Sequence, residues 1–561
     1  MENQSGNKGG NWGPSIFFIA NLFNFVLATA VFTIPFPMHE SGMFLGTIIL
    51  TITCFISVIA CTLIVEALAL KNSLLKREKA ILNKALREKK SSKKKDKKDL
   101  DEKEEDKDKI KEIEIDKDRP TFLSKETLLS NIETDLKKDE EKKENDIIKI
   151  DNDNDNENLI EEREKIVPIE NEEIDNNLDE RNDSFYIYKR YEISKLAKAL
   201  PKIGYFFVVI TIICYLYVGV TSNGIIAGNN LKDIIGLTFG VEEMPGYSYY
   251  VVLLVFFVIV IIIALNNIKH LKKFSMFIMV MRFVIIFLIM GCCIYSMKIN
   301  GIASFMSIPK FDFSNITVMI GNSLFVFMSH HSIPGMVENF SPQRRLIKLL
   351  IIGYAFSLFF IVLYSYVGLF AFGDPGLPCD KKKFPMAIQS TFSTNFLGLP
   401  VVGYIINYYP ILNVITSGMQ LITLRNNILE AIAGCNSKLS ESLNFAEQSG
   451  ITPILKNFVF NTIIAIPPLT IGLLLQNIQS LMKYFSSILG FLLMLIVPIL
   501  VVSKYRLIFK ERGYYLSKLN RSFLKSKFEY PFIITMSFII FGFIIFGFIK
   551  NTNNKTCINE K

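Results

Sequence analysis

Eleven runs of about twenty apolar residues leave this chain few ways to fold. They fall at roughly 14–36, 44–70, 203–229, 248–267, 274–297, 314–340, 347–372, 400–424, 454–476, 478–503 and 529–549. A run of that length crosses the hydrocarbon core of a bilayer as a helix. Inside hydrocarbon every backbone N–H and C=O must pair within its own segment or in a closed barrel, and these long continuous runs suit only the helix. The expected fold class is therefore an all-α polytopic membrane protein with eleven transmembrane helices. The ninth and tenth runs are the least regular, since Lys456 and Lys483 lie near their starts and Pro467-Pro468 interrupts the ninth.

Between the second and third runs the pattern stops. Residues 71–190 hold 30 basic and 36 acidic side chains, whereas the other 441 hold 32 and 17. The organisation expected is helices 1–2 over residues 1–70, a charged insertion over 71–199, helices 3–11 over 200–550 and a tail over 551–561. The insertion runs from a Lys-rich front (Lys93-Lys94-Lys95, Lys97-Lys98) to an Asp-rich back (Asp151, Asp153, Asp155). Few aromatics and no apolar period predict disorder. It reads either as a tolerated low-complexity expansion or as a segment whose basic front meets anionic lipid headgroups or cytosolic proteins. It lacks the Gly and terminal Glu spacing of a calcium-binding loop.

Loop charge sets the orientation. With the N-terminus in the cytosol, the short inner loops carry 17 Lys and Arg and the outer loops with the C-terminus carry nine. The positive-inside rule then favours a cytosolic N-terminus and an outer or lumenal C-terminus, in the plasma membrane or a vacuolar or lysosomal membrane. Asn554-Lys555-Thr556, a glycosylation sequon, falls on that outer tail. Residues 1–13 are polar and the first apolar run is too long for a cleavable leader, so no signal peptide is expected. Cys379 and Cys557 are the two cysteines expected on the outer side, where a disulfide is feasible.

The sixth run ends in Ser329-His330-His331-Ser332-Ile333-Pro334-Gly335 and so holds two of the four histidines of the chain. Pro334 lacks an N–H and frees the carbonyl of His330. A broken helix carrying polar rings at membrane depth is costly unless it lines a protein cavity. His330 and His331 read as hydrogen-bonded packing residues, as substrate contacts or as proton acceptors. Adjacent helical positions lie about 100° apart, so one of them at most faces a central cavity. Span one, Asn24 to Pro35, has small and hydroxylated residues at Ala28, Thr29, Ala30 and Thr33. These allow close packing or mark a second discontinuous helix. In a five-plus-five inverted repeat, spans one and six are counterparts. Paired interruptions in two halves are the best sequence pointer to a transporter site.

Other polar residues fall within the runs. Arg282, in span five, needs a partner or snorkels to the headgroups. Glu66 and Glu338, near the inner ends of spans two and six, are the expected partners in an inner-gate latch. Thr416 and Ser417 in span eight either back-bond to their own helix or complete an ion site with span-one carbonyls. Tyr217, with Thr221 and Asn223, gives span three a polar face for the protein interior. No nucleotide-binding loop, nucleophile elbow or metal cluster is present, so neither an enzyme nor a metal centre is expected.

Three stretches of the chain resemble the eukaryotic amino acid/auxin permease family, nearest to its transmembrane protein 104-like branch. They are Asn24 to Pro35, Phe327 to Pro334, and Thr423-Leu424-Arg425-Asn426-Asn427. The insertion after Val65-Glu66-Ala67 falls at the same place, and the likeness covers roughly 14–70 and 200–510. The resemblance implies an eleven-helix transporter with the inverted repeat of the sodium/leucine symporter type. It implies neutral amino acids as substrates, bound between broken helices one and six. It places the substrate site at Ala28, Thr29 and Ala30 and at Ser329, His330 and His331. Proton or sodium coupling is implied; no other cofactor and no nucleic-acid partner is expected. The family has Gly-x-Gly where this chain has Ala28-Thr29-Ala30, and Ala favours the helix where Gly permits unwinding. Either span one is less unwound here, or the substrate pocket is tighter; the site then relies on the break in span six more than on any break in span one.

The function expected is secondary active transport of small neutral amino acids or related organic solutes by alternating access. Two rivals share the architecture: an amino-acid sensor that signals through the insertion without flux, and a carrier of peptides or cationic drugs. A channel would need rings of pore-lining charge, which the sequence does not contain.

Overall fold

The computed structural model describes residues 13–107, 185, 187–241, 245–265, 268–330, 332–337, 340, 343–374, 388–399, 401–435, 451–514, 522, 531–532 and 534–546. Among these residues every regular secondary-structure element is a helix. The chain divides into two units, Met1–Lys76 with Ser184–Lys561, and Arg77–Asp183. Of the second unit, the described residues are the helical stretch that ends at Lys107.

The helices of the first unit follow the apolar runs. They are α1 (Gly13–Thr33), α2 (Pro35–Ser41), α3 (Met43–Lys107, entering the second unit at Arg77), α4 (Ile193–Ala197) and α5 (Lys202–Thr238). Then come α6 (Tyr247–Ile263), α7 (Ile268–Asn300), α8 (Ile316–Val326), α9 (Ile333–Val337), α10 (Leu346–Phe372), α11 (Val402–Tyr408), α12 (Asn413–Cys435) and α13 (Ile451–Leu474). The last are α14 (Ile478–Glu511) and α15 (Ile534–Phe546). Six helices are long and apolar enough to cross a membrane, or seven if the bent pair α1 and α2 is one span. Each of the eleven apolar runs contains helix, but several are short or broken, and length and composition alone support this lower number of spans.

The expectation of disorder over 71–199 meets ordered structure at both ends. α3 continues through Lys107, and residues 193–197 form α4. Lys, Glu, Arg, Ala and Leu dominate 71–107, and these are the good helix formers, so propensity sustains the helix where no apolar period does. Residues 108–184 lie outside the described residues.

Two groups of helices pack among themselves. α5, α6, α12 and α13 form one. α1 packs on α10, α8 and α7 in the other, and α3 joins α10 through the Thr47 and Tyr366 hydroxyls at 2.8 Å. α14 runs along α8, where two π-turns, Met482–Ser486 and Leu492–Ile496, widen it. Gly321 of α8 lies so close to the first π-turn that a Cβ there would meet the Met482 carbonyl oxygen at 2.2 Å. The corner between α2 and α3 also needs a glycine. Gly42 has φ +91°, and a Cβ would sit 2.6 Å from the backbone of Lys310.

Candidate functional site

Span six is open at Phe327–His330 and at Ser332, between α8 and α9. Unwinding deprives the last carbonyls of α8 of helical partners, and at membrane depth side chains must replace them. The Phe327 carbonyl accepts from Ser57 Oγ at 2.5 Å and from Tyr354 Oη at 3.3 Å. The Tyr354 hydroxyl also meets Ser57 Oγ at 2.9 Å, Cys61 Sγ at 3.1 Å and Ser329 Oγ. All of these side chains are buried. One tyrosine of α10 therefore gathers two side chains of α3 and one from the break.

His330 is satisfied by a second distortion. In the π-turn Leu492–Ile496 the Val497 N–H bonds to the Leu492 carbonyl. The next donor that a π-turn would offer to Leu493 is at residue 498, a proline without an N–H. His330 Nε2 donates to that Leu493 carbonyl at 3.0 Å, which places a ring proton on Nε2. His331 and Glu338 lie outside the described residues, whereas Pro334 and Gly335 lie in α9.

Span one breaks differently. α1 stays helical through Ala28, Thr29 and Ala30, and the chain bends by 61° at Ile34. The Ile34 N–H still reaches the Ala30 carbonyl at 3.0 Å, which also accepts from the Tyr364 hydroxyl. Pro35 and Pro37 supply the bend. Pro37, four residues beyond Thr33, has no N–H for the Thr33 carbonyl, and Gln479 Nε2 supplies one at 3.3 Å. The same Gln479 Nε2 donates to the Ser390 carbonyl at 2.7 Å, and its Oε1 accepts from Asn322 Nδ2 at 2.9 Å. Gln479 thus joins the bend of span one to α8. The backbone of Asn24, Ala28 and Thr29 is helical; their side chains lie outside the described residues.

The remaining residues singled out from the sequence separate. Ser417 is buried, and its Oγ has no partner among the described residues; neither has Asn413 Nδ2, one turn earlier on α12. Thr416 and Tyr217 are half-buried. Arg282 Nε donates to Tyr409 Oη at 3.0 Å. Glu66 is not available to Arg282. Both of its oxygens are taken at 2.7 Å by Arg506, and Oε2 also accepts from the Ser522 N–H at 2.9 Å. Depth alone suggested Arg282, but the planar Arg506 guanidinium reaches Glu66 bidentately from α14. Cys379 and Cys557 lie outside the described residues.

Sequence reading missed Tyr354, Gln479 and Arg506. A tyrosine or glutamine inside an apolar run needs a polar partner, and that was the signal for the first two. A cavity of about 810 Å³ lies elsewhere, between α7 and Leu399–Val402. Its lining of Val284, Phe287, Leu288 and neighbours is apolar and includes none of the residues at the breaks.

The family described as transmembrane amino acid transporter protein matches residues 177–550. A transmembrane protein 104 homolog of Dictyostelium discoideum is 27% identical over 373 residues, which is 64% of this chain and 71% of the relative. Transmembrane protein 104 of Homo sapiens is 24% identical over 202 residues, 35% of this chain and 36% of the relative. That of Mus musculus is 24% identical over 245 residues, 42% and 44%. With a family match over well more than half of its length and apolar helices of membrane-spanning size, the chain is an integral membrane protein that belongs to the transmembrane amino acid transporter family.

Proposed function

We propose that the protein is a secondary active transporter of small neutral amino acids or related organic solutes, coupled to protons or sodium. The observation that carries this reading is the open break of span six, where side chains meet Ser329 and the Phe327 carbonyl and His330 bonds to a main-chain carbonyl of α14. Such bonds can be exchanged for bonds to a solute. The described groups here are hydroxyls, an imidazole and carbonyls, with no carboxylate or ammonium among them. A neutral zwitterion suits them, and the C-terminal end of α8 directs its last carbonyls toward an ammonium group. Ser417 and Asn413 are the groups on α12 that would meet a coupling ion.

In this reading the eleven apolar runs form eleven spans in a five-plus-five inverted repeat, with the N-terminus cytosolic and the C-terminus outside or lumenal. The membrane is the plasma membrane or that of a vacuole or lysosome. The break of span six forms one wall of a midplane site, and the substrate exchanges partners with Ser329 and His330 as helices rock around it. Uptake of labelled neutral amino acids into proteoliposomes, under imposed proton or sodium gradients, tests it. Uptake above the gradient-free level is expected with one gradient. If neither gradient drives any neutral amino acid, the reading is overturned; binding without flux then makes the chain a sensor.

A further inference from the structure

Residue 185 and residues 187–192, at the end of the insertion, form a non-helical strap in the first unit. Two buried amides hold it by its main chain. Gln343 Oε1 accepts from the Ile187 N–H at 2.8 Å, and Gln343 Nε2 donates to the Ile187 carbonyl at 2.7 Å. Asn72 Oδ1 accepts from the Lys189 N–H at 3.0 Å, and Asn72 Nδ2 donates to the Lys189 carbonyl at 3.1 Å. In an extended chain the N–H and C=O of residues i and i+2 point to one edge, so two side chains two residues apart read that edge as a neighbouring strand would. Phe185 and Ile187 are buried, with the Phe185 ring 5.9 Å from that of Phe509. Arg190 lies over Gly335, where a Cβ would come within 3.2 Å of the guanidinium.

The strap and the segment that follows it together reach both groups of helices. Asn72 of α3, Gln343 and Gly335 belong with span six and its neighbours. Just beyond the strap, Lys198 pairs with Glu430 of α12, in the other group. The Tyr205 hydroxyl donates to the Glu430 carbonyl at 3.0 Å, which binds the start of α5 to the same point.

We infer that residues 187–192 are a main-chain-recognised plug that closes the span-six break on the side of Gly335. This rests on the reading of that break as the transport site, yet closure is readable without flux. Ser332→Cys supplies a reporter inside the break, to be labelled by a membrane-impermeant maleimide applied to the insertion side, with the parent protein as background. Labelling is expected to rise about tenfold or more in Asn72→Ala/Gln343→Ala, which removes four hydrogen bonds to the strap. A second variant replaces residues 185–191 by a Gly/Ser segment of equal length. There, an added peptide of residues 184–192 is expected to slow labelling again. Unchanged labelling in both folded variants overturns the plug. So does a rise that the peptide fails to reverse, which assigns the opening to damaged packing. If labelling behaves as expected while no amino acid is transported, the plug stands and the transport reading falls.

Discussion

The two interrupted spans of this protein solve the same problem in opposite ways. Span one bends by 61° at two prolines yet keeps its hydrogen bonds nearly continuous, and one side chain, Gln479, serves the carbonyl that Pro37 orphans. Span six opens from Phe327, where side chains from α3 and α10 replace missing ladder bonds and His330 donates to a main-chain carbonyl of α14. A bend preserves the helix and leaves little to exchange with a solute. An opening exposes groups whose partners can be traded. The difference follows from sequence: Ala28 and Ala30 hold the helix that glycines would loosen, whereas Ser329 and Ser332 flank two histidines just before Pro334.

Matched substitutions at the two breaks test that contrast. Tyr354→Phe should have the largest effect, because Ser57, Cys61 and Ser329 and the Phe327 carbonyl share its hydroxyl. Leaving such buried groups short of a partner costs about 2–3 kcal/mol, read as a lowered unfolding midpoint in detergent. His330→Ala should cost about 1–3 kcal/mol, since the Leu493 carbonyl has no helical donor to fall back on, and His330→Gln should recover part of it. Ala30→Gly should cost about 1 kcal/mol, the helix-interior penalty, with a small change in apparent substrate affinity. Tyr364→Phe should cost least, under about 1 kcal/mol, because the Ala30 carbonyl keeps the Ile34 N–H. Equal losses at Tyr354 and Tyr364 would erase the distinction between the breaks.

Hydropathy made the helices legible, since bilayer-length apolar runs can pair their backbones only as helix. The break of span six was expected at Pro334-Gly335, but those residues lie in α9 and the opening falls before them, from Phe327 onward. The interruption of span one was sought at Ala28–Ala30 through family likeness, but the bend lies at Ile34, where Pro35 and Pro37 remove donors. The π-turns of α14 were not legible, because a one-residue widening leaves hydrophobic pattern and length almost unchanged. The partner of Glu66 was also beyond reach. Arg282 and Arg506 are both compatible with its depth, and only the packing of α14 against α3 selects Arg506. The strap was hidden for another reason: Asn72 and Gln343 recognise main chain, and main-chain recognition leaves no mark on the composition of the segment recognised.

The most direct test of the assignment of the site to span six compares two tyrosines of α10, one at each break. Uptake of labelled alanine into proteoliposomes should be measured for Tyr354→Phe and Tyr364→Phe at matched amounts of folded protein. A fall of about tenfold or more at Tyr354, with Tyr364 within about threefold of the parent, is the expected result. Uptake retained at Tyr354 and lost at Tyr364 would place the site at span one and contradict it.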